Sequence, residues 1–160
     1  MLIVDNFLDK ETFKKIHDLL MGSDFEWYFS DVITSISDNN DDFQFCHSFY
    51  RDGSPRTRFQ VIEPIIKKIE PFALIGVKAN LLIKTNILKE YGFHVDVKRE
   101  NVTTAVFYVN TCNGYTLFRD GTKIESKANR LVIFNAQLEH TGSSCTDALT
   151  RVVINLNYFK

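Results

Sequence analysis

The spacing of apolar residues changes character near residue 73, and that change limits the chain to few architectures. From there onward, short alternating or wholly apolar runs predict strands over 74–84, 91–96, 102–110, 115–119, 122–125, 130–135 and 150–159. Asn113-Gly114 and Asp120-Gly121 mark turns among them. Ahead of residue 73 the signals are different. Residues 2–7 read as a short strand, and Leu8-Asp9-Lys10-Glu11-Thr12-Phe13 reads as the start of a helix. Asp9 can cap free backbone N–H groups there, with Leu8 and Phe13 at the staple positions. Phe13, Ile16, Leu19 and Leu20 make one apolar face, and Gly22 is the expected stop. A second helical stretch is predicted from Ser54-Pro55, restarting at Pro64, with Phe59, Ile62, Ile65, Ile66 and Ile69 as its apolar face. Residues 30–53 are polar and punctuated, and read as an irregular excursion holding one or two strands, a wall or a lid.

Two helices followed by about seven short strands predict a mainly β (α+β) protein, a sandwich or jelly roll with the helices outside one sheet. The 160 residues suffice for one such core. A single domain is therefore expected, with 1–72 as helical and irregular support and 73–160 as the β core. The net charge of -1 offers no electrostatic footprint for a nucleic-acid backbone. Cys46, Cys112 and Cys145 form no CxxC motif and read as free thiols of a reducing compartment. Asp5 and Asp9 interrupt the first apolar stretch, which argues against a signal peptide, and no apolar run approaches membrane-spanning length. A cytoplasmic protein with neither nucleic acid nor membrane as partner is expected.

Chemistry enters at His94-Val95-Asp96. Residues i and i+2 of a strand share a face, so His94 and Asp96 converge while Val95 points away. Such a tripeptide alone is weak evidence, since two surface residues would need no explanation. His140 follows the buried-strand pattern RLVIFN. A histidine at a strand end is more often a hydrogen-bonding residue than a ligand, but several strands separate it from Asp96, enough for the chain to return to the same mouth. Two histidines and a carboxylate are the protein half of the facial triad that holds non-heme Fe(II) and leaves positions open for a co-substrate and O₂.

Eleven residues on, Arg151 opens RVVINLNYF, where alternation puts Arg151, Val153, Asn155 and Asn157 on one face. A solvent-facing edge would account for that polar face equally well. If the strand lines a polar cavity instead, Arg151 is placed to clamp a carboxylate. In TTAVFYVN the same argument groups Thr104, Val106 and Tyr108, with the Tyr108 hydroxyl as a second donor. Of the remaining histidines, His17 reads as structural and His47, in FCHSFY, as a candidate substrate contact.

Taken together, these segments resemble the 2-oxoglutarate/Fe(II)-dependent dioxygenases, and more narrowly their small prolyl-4-hydroxylase-like members. IVDNFLDKETFKKI is similar to that group's opening strand and helix, and FHVD to its first metal motif. TAVFYVN followed by NGYTLF resembles its central strands, RLVIFNAQLEHTG its distal histidine strand, and TRVVINLNYF its arginine strand. The resemblance implies a double-stranded β-helix with Fe(II) on His94, Asp96 and His140. It implies 2-oxoglutarate reaching Arg151 and Tyr108, with Thr104, Asn155 and Asn157 lining the same pocket. The implied reaction consumes O₂, releases succinate and CO₂ and hydroxylates a C–H bond, with ascorbate as a candidate auxiliary. Related halogenases lack the carboxylate ligand, so Asp96 favours hydroxylation. Two departures stand out: Leu82 or Lys84 takes the place of a tyrosine common on the strand before the metal motif, and Asn113-Gly114-Tyr115 replaces a double glycine. The implied substrate is a protein or peptide side chain, with proline leading. A free amino acid or other small molecule, and a non-catalytic cupin-like binding protein, are the alternatives.

Overall fold

The computed structural model describes residues 1–33 and 42–160 of the chain. Its elements are β1 (Leu2–Val4), α1 (Lys10–Leu20), β2 (Tyr28–Ser30), β3 (Gln44–Arg51), β4 (Ser54–Pro55), α2 (Glu63–Ile69), β5 (Ala73–Ile83), β6 (Val102–Tyr108), β7 (Tyr115–Phe118), β8 (Lys123–Glu125), β9 (Arg130–Asn135), β10 (His140–Gly142) and β11 (Thr150–Phe159). An eight-stranded sheet runs in the order β1-β9-β6-β11-β5-β3-β2, with β4 paired to β3, and a three-stranded sheet runs β10-β7-β8. All the pairings between strands are antiparallel. This is the mainly β double-stranded β-helix that the sequence predicts.

Two cores flank the large sheet. On one face, Ile16 and Leu20 of α1 and Ile65 of α2 pack with Phe49, Ala79, Ala105, Phe107, Val152, Ile154 and Leu156. Each such aliphatic side chain contributes roughly 1.5–3 kcal/mol by leaving water. The α1 helix starts where predicted, with the Asp9 carboxylate accepting from the Thr12 N–H at 2.9 Å. Asn129 ties the entry to this helix to the far side of the molecule, accepting from Leu8 N–H at 2.9 Å and donating to Leu8 O at 2.8 Å. On the other face, Phe118 and Ile124 of the small sheet meet Val106, Tyr108, Val132, Phe134 and Val153 of the large one. Among the described residues no helix is long and apolar enough to cross a membrane.

The strand expected over 91–96 does not form. Residues 84–94 instead run beside 140–145, joined by isolated bridges at Lys84–Cys145, Glu90–Ser143 and His94–His140. Gly92 adopts φ +82, which breaks any regular strand there. Nor does a helix begin at Ser54-Pro55. These residues form the edge strand β4, where proline's missing N–H is harmless; a 3-10 turn follows at Phe59–Val61, and the α-helix begins at Glu63. The excursion over 30–53 contains β3, which inserts between β5 and β2 in the large sheet, while residues 34–41 lie outside the described residues.

Candidate metal centre

His94 and His140 form a reciprocal backbone pair, His94 N–H donating to His140 O at 2.9 Å and His140 N–H to His94 O at 3.0 Å. Opposed residues of an antiparallel pair present their side chains on one face, so two distant chain segments deliver two imidazoles together. Each Nδ1 faces a backbone carbonyl, Gly92 O at 3.3 Å for His94 and Leu138 O at 2.9 Å for His140. That arrangement assigns the ring proton to Nδ1 and leaves the Nε2 lone pair for a metal. Gly92 has a direct role here, because its positive φ turns its carbonyl toward the His94 ring. Phe134 meets the His140 ring edge-on at 4.9 Å and helps to hold it.

Asp96 closes the cluster. Its Oδ1 lies 3.7 Å from His94 Nε2 and its Oδ2 3.8 Å from His140 Nε2. Both separations fall within the roughly 4.2 Å that two ligand atoms, each about 2.1 Å from one ion, can span. Asp96 Oδ2 is buried and has no hydrogen-bond partner among the described residues. An orphaned carboxylate oxygen between two imidazole nitrogens is what a bound cation would satisfy. Burial, and then the neighbouring His140, push the His94 pKa down, against the pull of Asp96, and so favour the neutral, ligating form. The donor set of two histidines and one carboxylate fits a non-heme Fe(II) site.

His94, Asp96 and His140 border a cavity of about 260 Å³ whose other wall is the large sheet. Arg151 enters it from β11, opposite Leu82 of β5, and is 3 % exposed. Its Nε donates to Ser126 Oγ at 2.7 Å and its Nη2 to Thr116 Oγ1 at 3.2 Å. Burial pushes the guanidinium pKa down, and among the described residues no carboxylate pairs with it. The Tyr108 hydroxyl donates to the same Thr116 Oγ1 at 2.8 Å. Thr116 thus accepts from both and keeps its own hydroxyl proton for the cavity that it lines. Asn113-Gly114 proves to be a point of close approach rather than a hairpin turn. A Cβ on Gly114 would lie 2.6 Å from both Arg151 Cδ and Ser144 O.

The structure therefore brings His94, Asp96, His140, Arg151 and Asn155 to one cavity. Tyr108 stands behind its wall, its hydroxyl on Thr116 and its ring 5.7 Å from the Arg151 guanidinium. Thr104 and Asn157 do not line it, because the Thr104 hydroxyl donates to Asn157 Oδ1 at 2.7 Å. His47 lies on the opposite face of the large sheet, 1 % exposed, with its nitrogens 2.8 Å from Glu26 O and 3.0 Å from Thr57 O. It is a core residue packed against Phe25 and Phe49, away from the cavity expected to hold substrate. Leu82 lines the cavity in place of the missing tyrosine. Sequence reading passed over Thr116, Ser126, Lys78, Asn80 and the lining role of Tyr91. Only the inward alternation of Thr116 with Phe118 in YTLF offered a signal.

No family model and no curated protein matches the sequence. Solved structures do match, and the fold they share is that of the 2-oxoglutarate/Fe(II) oxygenases. Within that class, the chain superimposes on a prolyl hydroxylase from Trichoplax adhaerens, in complex with a hypoxia inducible factor oxygen degradation domain peptide fragment, with a TM-score of 0.72. The identity is 14 %, over 99 % of this chain and 82 % of that one. The non-heme alpha ketoglutarate dependent epimerase SnoN from nogalamycin biosynthesis gives 0.67 at 12 % identity, over 99 % and 77 % of the two chains. HygX from Streptomyces hygroscopicus, with nickel and 2-oxoglutarate bound, gives 0.65 at 9 % identity, over 99 % and 82 %.

Proposed function

We propose that this protein is an Fe(II)- and 2-oxoglutarate-dependent dioxygenase that hydroxylates a C–H bond. One observation carries the reading: a His-Asp-His cluster with an orphaned carboxylate oxygen shares its cavity with a buried arginine that lacks an acidic partner among the described residues. A cupin-like protein that merely holds a metal would have no use for such a clamp. His94, Asp96 and His140 hold the iron, which when bound supplies O₂ activation coupled to conversion of 2-oxoglutarate to succinate and CO₂. Arg151 receives the distal carboxylate of the co-substrate with the N–H groups not given to Ser126 and Thr116. Thr116 adds a hydroxyl donor, and Tyr108 orients Thr116 from behind. Leu82 and Val153 supply apolar surface beside the clamp and exclude water there. Residues 73–160 carry these groups as one domain with the helical support of 1–72.

A protein or peptide side chain is the proposed substrate, with proline as the leading target, because the Trichoplax neighbour is a prolyl hydroxylase in complex with a peptide. A free amino acid or other small molecule is the second reading, favoured by the small cavity and by the likeness to SnoN. The test is to add 2-oxoglutarate to the Fe(II)-loaded protein without oxygen and record the weak visible charge-transfer band of a chelated iron. The band is expected to vanish with the iron in His94→Ala and to need more 2-oxoglutarate in Arg151→Ala. Iron bound without a band would favour the binding-protein reading, and absence of iron binding would sink the triad.

A further inference from the structure

Two cations line the cavity, and the co-substrate occupies only one of them. Lys78 stands on the cavity face of β5, paired in register with Asn155 of β11 and Ser48 of β3. It sits at the exposed rim, and among the described residues nothing pairs with its ammonium group. Asp96 is the sole carboxylate among the lining residues, and the metal claims it. In the loaded site, a divalent ion and Arg151 carry three positive charges, matched by Asp96 and the dianionic co-substrate. Among the described residues the charge of Lys78 has no counterpart.

Distance keeps the two cations apart. Arg151 pairs with Leu82, and Lys78 lies four residues further along β5, about 13 Å at roughly 3.3 Å per residue. A five-carbon diacid, with four C–C bonds of about 1.5 Å, spans only about 5 Å between its carboxyl carbons. Held at Arg151 and the metal, it leaves the Lys78 end of the cavity to another molecule. Beside Lys78, two side-chain amide oxygens, Asn80 Oδ1 and Asn155 Oδ1, are buried and find no donor among the described residues. Both residues line the cavity on the same face of the sheet. An anion alone would leave both unsatisfied; a single N–H or O–H next to the anion would satisfy one, and an ammonium group both.

Building on the co-substrate reading above, we infer that the substrate carries a carboxylate with an adjacent N–H or O–H donor, the carboxylate received by Lys78 and the donor by Asn80 or Asn155. A free amino acid or hydroxy acid offers this pair of groups, and so does an aspartyl or glutamyl residue within a peptide. The shared chemistry is a carboxylate beside a donor, close to the C–H bond that is hydroxylated.

The experiment uses full-length protein loaded with Ni(II), which does not turn over, and isothermal titration calorimetry. The probes are 2-oxoglutarate, the free amino acids and their carboxamides, lactate and malate, and capped peptides centred on Asp, Glu, Asn, Gln or Pro. Every probe is titrated with and without saturating 2-oxoglutarate. At least one acid is expected to bind at least tenfold more tightly than its amide, and Lys78→Gln is expected to erase that difference while changing 2-oxoglutarate affinity less than twofold. Lys78-dependent preference for Asp or Glu peptides would place the carboxylate in a peptide, and the same preference among free acids would place it in a small molecule. The inference is overturned if amides bind as tightly as acids or if no carboxylate probe saturates. It is equally overturned if Lys78→Gln keeps the preference for acids or weakens 2-oxoglutarate instead. Failure of 2-oxoglutarate itself to bind the wild type would remove the co-substrate reading, while Lys78-dependent acid binding to the Ni(II) form would still stand.

Discussion

Replacing Arg151 by methionine should move folding stability and co-substrate affinity very differently. The guanidinium is buried; it donates to the neutral hydroxyls of Ser126 and Thr116, and the neutral Tyr108 ring lies 5.7 Å away. An uncompensated buried charge costs several kcal/mol, and two hydrogen bonds from a charged donor return roughly 1.5–3 kcal/mol each. These terms nearly offset, so in the metal-free protein Arg151→Met should unfold within about 1 kcal/mol of wild type. Binding is another matter. Two of the five guanidinium N–H groups serve Ser126 and Thr116, which leaves enough for a bidentate carboxylate. Losing one partner of a buried charge pair at a ligand costs about 2–5 kcal/mol, or roughly thirty- to several-thousand-fold in affinity. Urea unfolding of the metal-free protein and calorimetric titration of the Ni(II)-loaded protein with 2-oxoglutarate measure the two quantities. A variant destabilised by more than about 3 kcal/mol that binds 2-oxoglutarate like wild type would show Arg151 to be a structural residue and would refute the argument.

Gly114→Ala would drive a methyl group against Arg151 Cδ and the Ser144 carbonyl, both at 2.6 Å. The backbone carbonyl cannot easily yield, so urea unfolding should show a loss of about 1–3 kcal/mol, and displacement of Arg151 should weaken 2-oxoglutarate about tenfold. Asn129→Ala removes two buried hydrogen bonds to Leu8 at a residue held at φ +61, and should cost about 2–4 kcal/mol in the same assay without changing metal affinity. Asp5 is bonded to Arg130 and Lys127, and the Arg130 guanidinium, ahead of Lys127, holds its carboxyl far below the usual range. A depressed folded pKa gives stability that is complete above the unfolded value near 3.9 and lost as pH falls toward the folded value. Because the side chain is 36 % exposed, Asp5→Asn should cost only about 1 kcal/mol near neutral pH. That difference should shrink below about pH 4, and denaturation midpoints showing it widen in acid would contradict the pairing.

The His-Asp-His cluster is legible because its chemistry is local in type and spacing. His94 and Asp96 converge even without a regular strand, since a two-residue offset survives in any extended backbone. The faces of β11 were legible for another reason: the strand is paired on both sides, so its apolar set packs on the helices and its polar set must face something enclosed. What could not be read there was the enclosure itself, because inward polar residues such as Lys78 and Asn80 look like a solvated strand face. Residues 84–94 owe their path to bridges with 140–145, a pairing to which neither segment's own pattern points. Thr116 and Ser126 are neutral hydroxyls, whose importance arises only from Arg151 lying beside them. The core position of His47 is legible in the alternation of its strand. In FQFCHSFY it alternates in phase with Phe45 and Phe49, and the face carrying Phe49 is the helix-side core.

The cavity's cations and amides stand on one wall and the His-Asp-His cluster on the other. Arg151 and Asn155 belong to β11, and Lys78 and Asn80 to β5, whereas His140 opens β10 and holds His94 by backbone pairing. The gap between the walls is therefore set by what fills the sandwich behind them. Phe118 of the small sheet meets Phe134 of the large sheet edge-on at 4.9 Å, and both rings also contact His140. A close-packed interior does not absorb a lost methylene without shifting its neighbours. Truncations in this inter-sheet core should thus change the distance between metal and clamp as well as stability. Truncations in the helix-side core, such as at Ile16 or Leu20, remove comparable apolar surface but lie on the far face of the sheet. The two cores lie on opposite faces of β11, which makes that strand the element on which folding and the site depend together.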